Sequence, residues 1–309
     1  MYIENLITKY LEEFEKRSKR DKDYVSQNTI KAYNINLQKF LIFLKENKYE
    51  TNVKKIKEDC INRYINELVD KKLSPASRNQ RISTLKSFFK WARKYYDIKN
   101  PMVEIRCAYQ PRKEASFISK EDCIKILTHI DKVGGINQVL FRTLLQSGMR
   151  ASEIIGLDIP DITFEKDGMF IRVLKGKGNK QRILPFRTTN SDSSENRENL
   201  KLYNLLKTYI RNRKKQEVDD KNALFISTHG RRITYTGLNK KLSRLLKKVT
   251  LQHKKYSLHT FRHTRGKILM ENGARIKILQ KFLGHEDPVT TIRIYDHTSI
   301  EEISNANKF

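Results

Sequence analysis

Apolar residues at helical spacing are the feature of the first hundred residues that most restricts the fold. One stripe follows the spacing i, i+3, i+4, i+7, which puts its members on one helix face: Ile61, Tyr64, Ile65 and Leu68. Similar stripes comprise Ile30, Tyr33, Leu37, Phe40, Leu41 and Leu44, and then Ile82, Leu85, Phe88, Phe89 and Ala92. The pattern predicts a bundle of four or five helices.

The start of the last of these helices is marked by two adjacent residues. Ser74 can cap a helix, and Pro75 suits the first helical position, where its missing N–H costs nothing. Basic residues occupy the faces that the apolar stripe leaves: Arg78, Arg81, Lys86, Lys90 and Arg93. Such a helix is most often a solvated surface helix, but DNA contact is an equal alternative here, and we predict these five as DNA-binding residues.

The charge of the whole chain favours the DNA alternative. Lysine and arginine number 63 against 35 acidic residues, a formal net charge of +28 that is spread along the sequence. A polyanion is the natural partner, and nucleic acid fits better than a membrane. No apolar run approaches the ~20 residues that span a bilayer, and residues 1–15 lack a signal-peptide core. A protein that is merely rich in lysine is the alternative.

The three cysteines restrict the chemistry. Cys60, Cys107 and Cys123 are isolated and show no CxxC spacing, which argues against a disulfide framework or a structural zinc site. We therefore expect a reduced protein in the cytoplasm.

A length of 309 residues favours about two domains. Asn100 and Pro101 end the helical region, so we predict a first domain over 1–105 and a basic, proline-containing linker over 106–116. The second domain is predicted over 117–309, and Ser119 resembles the start of a capping box for its first helix.

Within the second domain the periodicity changes from helix to strand. Short strand-like runs occur at 161–164, 169–173 and 182–185, with a turn signal at 165–168. They predict a small antiparallel sheet inside a mainly α-helical chain. The polar stretch 188–199 is predicted to be an exposed loop.

The last fifty residues carry side chains that suit chemistry on a phosphodiester. Arginine grips phosphate oxygens, histidine moves protons near neutral pH, and tyrosine offers a phenolic nucleophile. Taken singly, each signal is weak, since a lone arginine is usually an ion-pair partner and the glycines around Lys177 suit a plain hairpin. His259 and His263 have a spacing that can hold zinc, but the glutamate of an H-E-x-x-H motif and a third ligand are missing, so no metal is expected.

In their order along the chain, the motifs resemble those of tyrosine recombinases of the phage-integrase family, in particular Xer-type and other short integrases. The helical region, with residues 74–92, resembles the SAM-like core-DNA-binding domain of that family, and the second domain resembles its catalytic domain. The matching motifs are residues 147–153 around Arg150, 175–180 around Lys177, 259–262, 283–285 and Tyr295.

The resemblance implies a role for each matching residue. Glu153 takes the place of an acidic residue that is usually structural. Tyr295 falls at the nucleophile position, although its spacing from His285 is one residue longer than in Xer-type members. The catalytic set that the resemblance implies is Arg150, Lys177, His259, Arg262, His285 and Tyr295.

The same resemblance implies a site-specific recombinase that cleaves and rejoins DNA through a 3′-phosphotyrosyl intermediate, without metal, ATP or another cofactor. The expected partners are a double-stranded recombination site and further copies of the chain, as a dimer on one site and a tetramer in the synapse. The tail 298–309 is expected to dock on a neighbouring copy. Two alternatives stay open, a type IB topoisomerase-like nicking-closing enzyme and a non-catalytic DNA-binding protein. The biological task also stays open among integration and excision, dimer resolution and inversion.

Overall fold

The structure is a computed structural model that describes residues 1–20, 27–110, 115–174, 181–189 and 194–284. The chain divides into two compact units, Met1–Lys113 and Glu114–Phe309. The described residues are mostly helical and include one small antiparallel sheet, in the second unit, as the sequence predicted. Along these residues, no helix is long and apolar enough to cross a membrane.

Unit 1 contains α1 (Ile3–Arg20), α2 (Gln27–Glu46), α3 (Glu58–Asp70) and α4 (Pro75–Tyr96), with a short 3-10 turn at Val53–Lys55. The helical stripes of the sequence are confirmed, because most of their residues form the core of this unit and others, such as Tyr33 and Ile65, pack against it. Aromatic rings meet edge-on at its centre, where Phe40 lies 5.0 Å from Tyr64 and 6.4 Å from Phe89 between ring centroids.

Helix α4 begins as the sequence predicted. The Ser74 hydroxyl accepts the backbone N–H of Ser77 at 3.3 Å, and Pro75 occupies the first turn. Inside the bundle, a buried hydrogen bond of 3.0 Å from Asn36 to Thr84 ties α2 to α4. The Asn79 amide bonds both the N–H and the carbonyl of Ala108, so this part of the predicted linker is tied to α4.

Unit 2 begins with α5 (Lys120–Val133), where Ser119 accepts the N–H of Asp122 at 3.2 Å, which confirms the predicted helix start. Helix α6 (Gly135–Ser147) follows, and every residue from Val139 to Ser147 is buried, so α6 is a central helix of the unit. The remaining helices are α7 (Ala151–Gly156), α8 (Ser194–Arg213), α9 (Tyr235–Lys248), α10 (Leu258–Glu271) and α11 (Ile276–Leu283).

The sheet contains β1 (Ile162–Glu165), β2 (Gly168–Val173) and β3 (Arg182–Arg187) in that order, all antiparallel. The predicted strands are confirmed, with shifts of one or two residues at their ends. Gly168, the first residue of β2, directly follows the tight turn at 166–167 with φ +154°, and a Cβ there would lie 2.2 Å from the Phe186 carbonyl oxygen. That turn therefore requires glycine.

The predicted loop over 188–199 is wrong from Ser194 onward, where α8 begins. Residues 195–199 of α8 are polar, and several of their side chains bond to other polar groups of the unit. Asn199 donates to the Arg187 carbonyl at 3.2 Å, and Glu198 pairs with Arg142. The apolar stripe of the helix starts only at Leu202, so local composition hid the first turns.

Candidate active site

Arg150 is held in place at the end of the central helix. Helix α6 stops at Gly148, whose φ of +58° is in the left-handed region. A Cβ on Gly148 would lie 2.9 Å from a Leu283 methyl carbon, so glycine lets α11 approach closely. The buried Met149 follows, and Arg150 then takes the N-cap position of α7. The backbone around Arg150 is thus fixed by the core.

Helix α10 brings His259 and Arg262 to the same region. Ser257 and Thr260 cap each other reciprocally, with Thr260 N donating to Ser257 Oγ at 3.3 Å and Ser257 N to Thr260 Oγ1 at 3.0 Å. His259 therefore lies in the first turn. Arg262, one turn later, faces inward with 1% of its surface exposed.

Glu153 joins two arginines through a fully buried carboxylate. Its Oε1 accepts from Arg150 Nη1 at 2.8 Å and from Arg182 Nη1 at 2.9 Å. Its Oε2 accepts from the Arg150 backbone N–H and from Arg182 Nη2, both at 2.8 Å. Burial alone would raise the pKa of Glu153, but the bonds and charges of Arg182 and then Arg150 outweigh burial and lower it to about 2. Glu153 is thus an anion at neutral pH.

The carboxyl end of α11 is bound by three guanidinium groups. Its last carbonyls carry the negative end of the helix dipole, which favours cations. Three successive carbonyls each accept one bond: Phe282 from Arg182 at 2.9 Å, Leu283 from Arg262 at 2.6 Å and Gly284 from Arg150 at 2.8 Å. Arg262 also donates to the Gly148 carbonyl at 2.9 Å. We call Arg150, Glu153, Arg182 and Arg262 the arginine cluster.

The two histidines of α10 lie beside this cluster. His259 is exposed, yet enough protein surrounds its ring that burial lowers its pKa, and the charges of Arg262 and Arg150 lower it further. The His263 ring packs across that of His259 with 4.7 Å between centroids. Burial, followed by His259 and Arg262, lowers the pKa of His263 to about 4. Both imidazoles are therefore mostly neutral at pH 7.

Three of the six predicted catalytic residues, Arg150, His259 and Arg262, come together here. Lys177, His285 and Tyr295 lie outside the described residues. Within the described ranges, no group of three His, Cys, Asp or Glu side chains is placed to hold a metal ion.

Arg182 is the member of the cluster that sequence reasoning missed. It lies on β3 two and four residues before Leu184 and Phe186, which are both buried. Side chains alternate along a strand, so an arginine in step with two core residues faces inward. This alternation with Leu184 and Phe186 is the sequence signal by which the inward position of Arg182 could have been predicted.

The predicted DNA-binding residues of α4 do not share one face. Lys90 and Arg93 are exposed, whereas Arg78, Arg81 and Lys86 are half-buried. At about 100° per residue, Arg81 points roughly 180° away from Lys90. A surface that the sequence analysis did not single out lies on α9, where an open pocket is lined by Tyr235, Thr236, Asn239, Lys240, Ser243 and Arg244.

The fold is shared with solved recombinase structures. The XerH site-specific recombinase bound to a palindromic difH substrate has a TM-score of 0.72 and 24% identity, covering 90% of this chain and 78% of that one. The Tn1549 transposon integrase, residues 82–397, in complex with circular intermediate DNA has a TM-score of 0.72 and 22% identity, covering 100% of both chains.

Relatives of higher identity support the same family. The tyrosine recombinase XerD of Staphylococcus haemolyticus is 32% identical over 288 residues, and the alignment covers 90% of each protein. The tyrosine recombinase XerC of Treponema denticola is 30% identical over 287 residues and 91% of each protein.

Two family descriptions match the two halves of the sequence. The phage integrase N-terminal SAM-like domain matches residues 9–95, and the phage integrase family matches residues 116–302. The chain belongs to the phage integrase family and is a tyrosine recombinase, an enzyme of site-specific DNA strand transfer.

Proposed function

We propose that Arg150 and Arg262 of the arginine cluster, together with His259, bind the scissile phosphate of a specific duplex site, and that Tyr295 attacks it. The observation that carries this proposal is the position of Arg150 and Arg262. Their guanidinium groups bond the successive carbonyls of Gly284 and Leu283, although 112 residues separate them in sequence. Two guanidiniums on adjacent carbonyls are close enough to serve one phosphate.

In the proposed site, each arginine supplies positive charge at the phosphate oxygens, where the reaction builds up negative charge. Arg150 and Arg262 bind the non-bridging oxygens and stabilise the pentacoordinate transition state. His259 hydrogen-bonds the same phosphate. A tyrosine has an unperturbed pKa of about 10, so the cationic pocket also favours the Tyr295 phenolate.

The proposed reaction exchanges one ester for another. The Tyr295 phenol loses its proton to solvent, and its oxygen forms a bond to phosphorus while the bond to the 5′-oxygen breaks. The departing 5′-oxygen takes a proton from Lys177. The products are a 3′-phosphotyrosyl link and a free 5′-hydroxyl. Attack by a second 5′-hydroxyl reverses these bonds and joins a new strand, with no cofactor consumed. We propose that His285, like His259, hydrogen-bonds the scissile phosphate.

Double-stranded DNA is the proposed partner. The solved relatives include XerH on its difH substrate and a lambda integrase dimer on a core site. For this chain we propose a dimer on one site and a tetramer in the synapse, with the tail 298–309, which lies outside the described residues, docking on a neighbour. We expect the protein to act in the cytoplasm, where the bacteria that carry the two named relatives hold their DNA.

The basic surface predicts strong dependence of binding on salt. If about ten phosphates are contacted, the log–log slope of the binding constant against salt is about −9. Among the predicted DNA-binding residues, Lys90 and Arg93 are exposed, so each substitution by glutamine is expected to make the slope shallower by about one. Arg81 points to another face, and Arg81→Gln serves as the matched comparison.

The test begins by selecting bound duplexes from a random-sequence DNA library, which identifies the site. The selected duplex is then made with a nick, so that the 5′-hydroxyl fragment diffuses away and any covalent complex is trapped. Wild-type protein is expected to form a complex stable to denaturant, and Tyr295→Phe to bind the duplex but form none. A Tyr295→Phe protein that forms the complex at the wild-type rate contradicts the assignment.

The same selected site separates the leading function from its two alternatives. A topoisomerase-like enzyme relaxes a supercoiled plasmid that lacks the selected site, and a non-catalytic binding protein traps no complex. The recombinase is expected to act only on DNA that carries the site.

A further inference from the structure

Arg182 has no assigned role, yet it bonds both to Glu153 and to the end of α11. Its Nη1 and Nη2 bind the two oxygens of Glu153, and its Nε binds the Phe282 carbonyl. Each of the three guanidinium nitrogens of Arg182 therefore donates a hydrogen bond to Glu153 or to the end of α11. Its side chain is 11% exposed, so these bonds are largely shielded from water.

We propose that Arg182 is a positioning residue for the strand-transfer reaction, which holds Arg150 through Glu153 and holds the end of α11 through Phe282. This proposal rests on the proposed function, since Arg150 is the group whose position matters. Arg182 itself is not a phosphate ligand in this account. Its planar fork matches the carboxylate in a way that a single ammonium does not.

Arg182 acts first on Glu153. Its carboxylate has no exposed surface and receives four hydrogen bonds, two of them from Arg182. Without Arg182, each oxygen of this carboxylate keeps only one described donor, and both donors belong to Arg150. A buried carboxylate with half its donors missing is destabilised as an anion, and Arg150 loses a fixed partner.

Arg182 also acts on the end of α11. The Phe282 carbonyl accepts from Arg182, while the next two carbonyls accept from Arg262 and Arg150. Arg182 thus fixes the backbone turn against which both phosphate-binding arginines are aligned. Gly284, at the end of that turn, has φ +69°, and a Cβ on it would lie 3.0 Å from Arg182 Nη1. The guanidinium and the turn therefore pack in direct contact.

The decisive variant is Arg182→Gln, with Arg232→Gln as its control. Arg232 bonds Asp158 and Asp220 and the carbonyls of Ile155 and Leu157, so it is a comparable arginine with partners outside the cluster. We expect Arg182→Gln to slow covalent complex formation roughly 100-fold, because a displacement of about 1 Å costs that much. Equilibrium binding of the same duplex should change less than about 3-fold, since remote phosphate contacts dominate affinity. Equal cleavage rates in the two variants overturn the proposal.

The pH profile provides a readout that a merely structural arginine would not move. Removing Arg182 raises the pKa of Glu153, and its protonated form no longer pairs with Arg150. Cleavage by Arg182→Gln should therefore fall as pH decreases within the range 5–8, in addition to any His259 effect shared by all variants. Among the described residues, the other charged groups that line the small cavity next to Glu153 are Asp158, Asp161 and Arg172, and all three are unchanged. The double variant with Glu153→Gln should lose this additional dependence.

Two further measurements test the proposal if Arg182→Gln does not fold or if the wild-type protein is inactive. Arg182→Lys keeps the charge but not the fork, and we expect it to melt like wild type and to cleave at least about 10-fold more slowly. A wild-type rate in Arg182→Lys overturns the proposal. If wild-type protein forms no covalent complex, the proposed function fails instead. The positioning role is then decided by nitrogen NMR of the Arg150 guanidinium, whose N–H exchange should be at least about 10-fold faster in Arg182→Gln, and unchanged exchange overturns it.

Discussion

Two ionic groups in unit 2, each built around a buried side chain, use arginine in opposite ways. Arg142 of α6 is 1% exposed and pairs with two acids, Asp131 and Glu198, and Lys201 also bonds Asp131. In the arginine cluster one acid, Glu153, serves two arginines. The ion pairs of the Arg142 group balance in charge, whereas those of the Glu153 group leave one positive charge over.

The difference separates a group that holds helices together from one suited to bind an anion. Balanced pairs at Arg142 join α5, α6 and α8, and nothing in them attracts a further charge. The excess positive charge of the Glu153 group is partly offset by the carbonyl dipoles at the end of α11. A phosphate in that place would complete the balance, which is the physical basis of the proposed site.

The largest expected effect is on catalysis, at Arg150. We expect Arg150→Gln to reduce single-turnover cleavage of the nicked duplex by about 10²–10³-fold, because a donor to developing charge is lost. Its urea midpoint should stay near that of wild type, since Glu153 keeps Arg182. If Arg150→Gln cleaves at the wild-type rate, the Glu153 group does not bind the phosphate, and its proposed difference from the Arg142 group is lost.

The next effect is on stability, at Arg142. Replacing Arg142 by glutamine leaves Asp131 and Glu198 without their shared cation, although Asp131 keeps Lys201, and losing such bonds to charged groups costs about 1–3 kcal/mol. The partial exposure of both acids favours the lower end of that range. Urea unfolding measures the loss, and the folded variant should cleave DNA at the wild-type rate. Unchanged stability would contradict the structural role of this group.

Acid should unfold the protein partly through both groups. Burial, the largest influence on each acid, raises the pKa of Glu153 and of Asp131, but the bonds to their arginines outweigh it and lower both below the unfolded values. Their stabilisation is therefore complete above about pH 4.5 and is lost as pH falls toward 2. For Glu153 the contribution is about 3 kcal/mol. Unfolding of Glu153→Gln should depend less on pH between 4.5 and 2, and an unchanged dependence would refute the assignment.

The smallest expected effect is the stabilisation of the protein by a simple anion bound at the Glu153 group. Inorganic sulfate at ten times its dissociation constant should stabilise the wild-type protein by about 1.4 kcal/mol, or a few degrees in Tm. Arg150→Gln should show much less of this stabilisation. Arg232→Gln, which leaves the cluster intact, should keep it. Equal stabilisation in all three proteins would place the bound anion elsewhere.

Much of the fold could be predicted from the sequence because local patterns encode it. The stripes in α2 to α4, the caps at Ser74 and Ser119 and the three strands were visible as periodicity and turn signals. Helix α8 was missed in its first turns, since residues 194–199 are polar and some of them pair with distant partners, as Glu198 does with Arg142. Long-range pairing of this kind leaves no local pattern.

The site shows the same limit at finer detail. The residues Arg150, His259 and Arg262 were found through motifs, but nothing in a motif states that Arg150 and Arg262 would bond adjacent carbonyls of α11. Backbone carbonyls carry no sequence information, so the three-fold binding of that helix end emerges only from the fold. The same holds for the role of Arg182.

The central claim is that one phenolic oxygen, on Tyr295, becomes joined to the DNA. The most direct measurement is mass spectrometry of the trapped complex, after nuclease trimming of the DNA and digestion of the protein with trypsin. We expect a residual nucleotide on the peptide that contains Tyr295, with the added mass on the tyrosine itself. A nucleotide attached to any other of the 14 tyrosines, or to no tyrosine, would contradict the account.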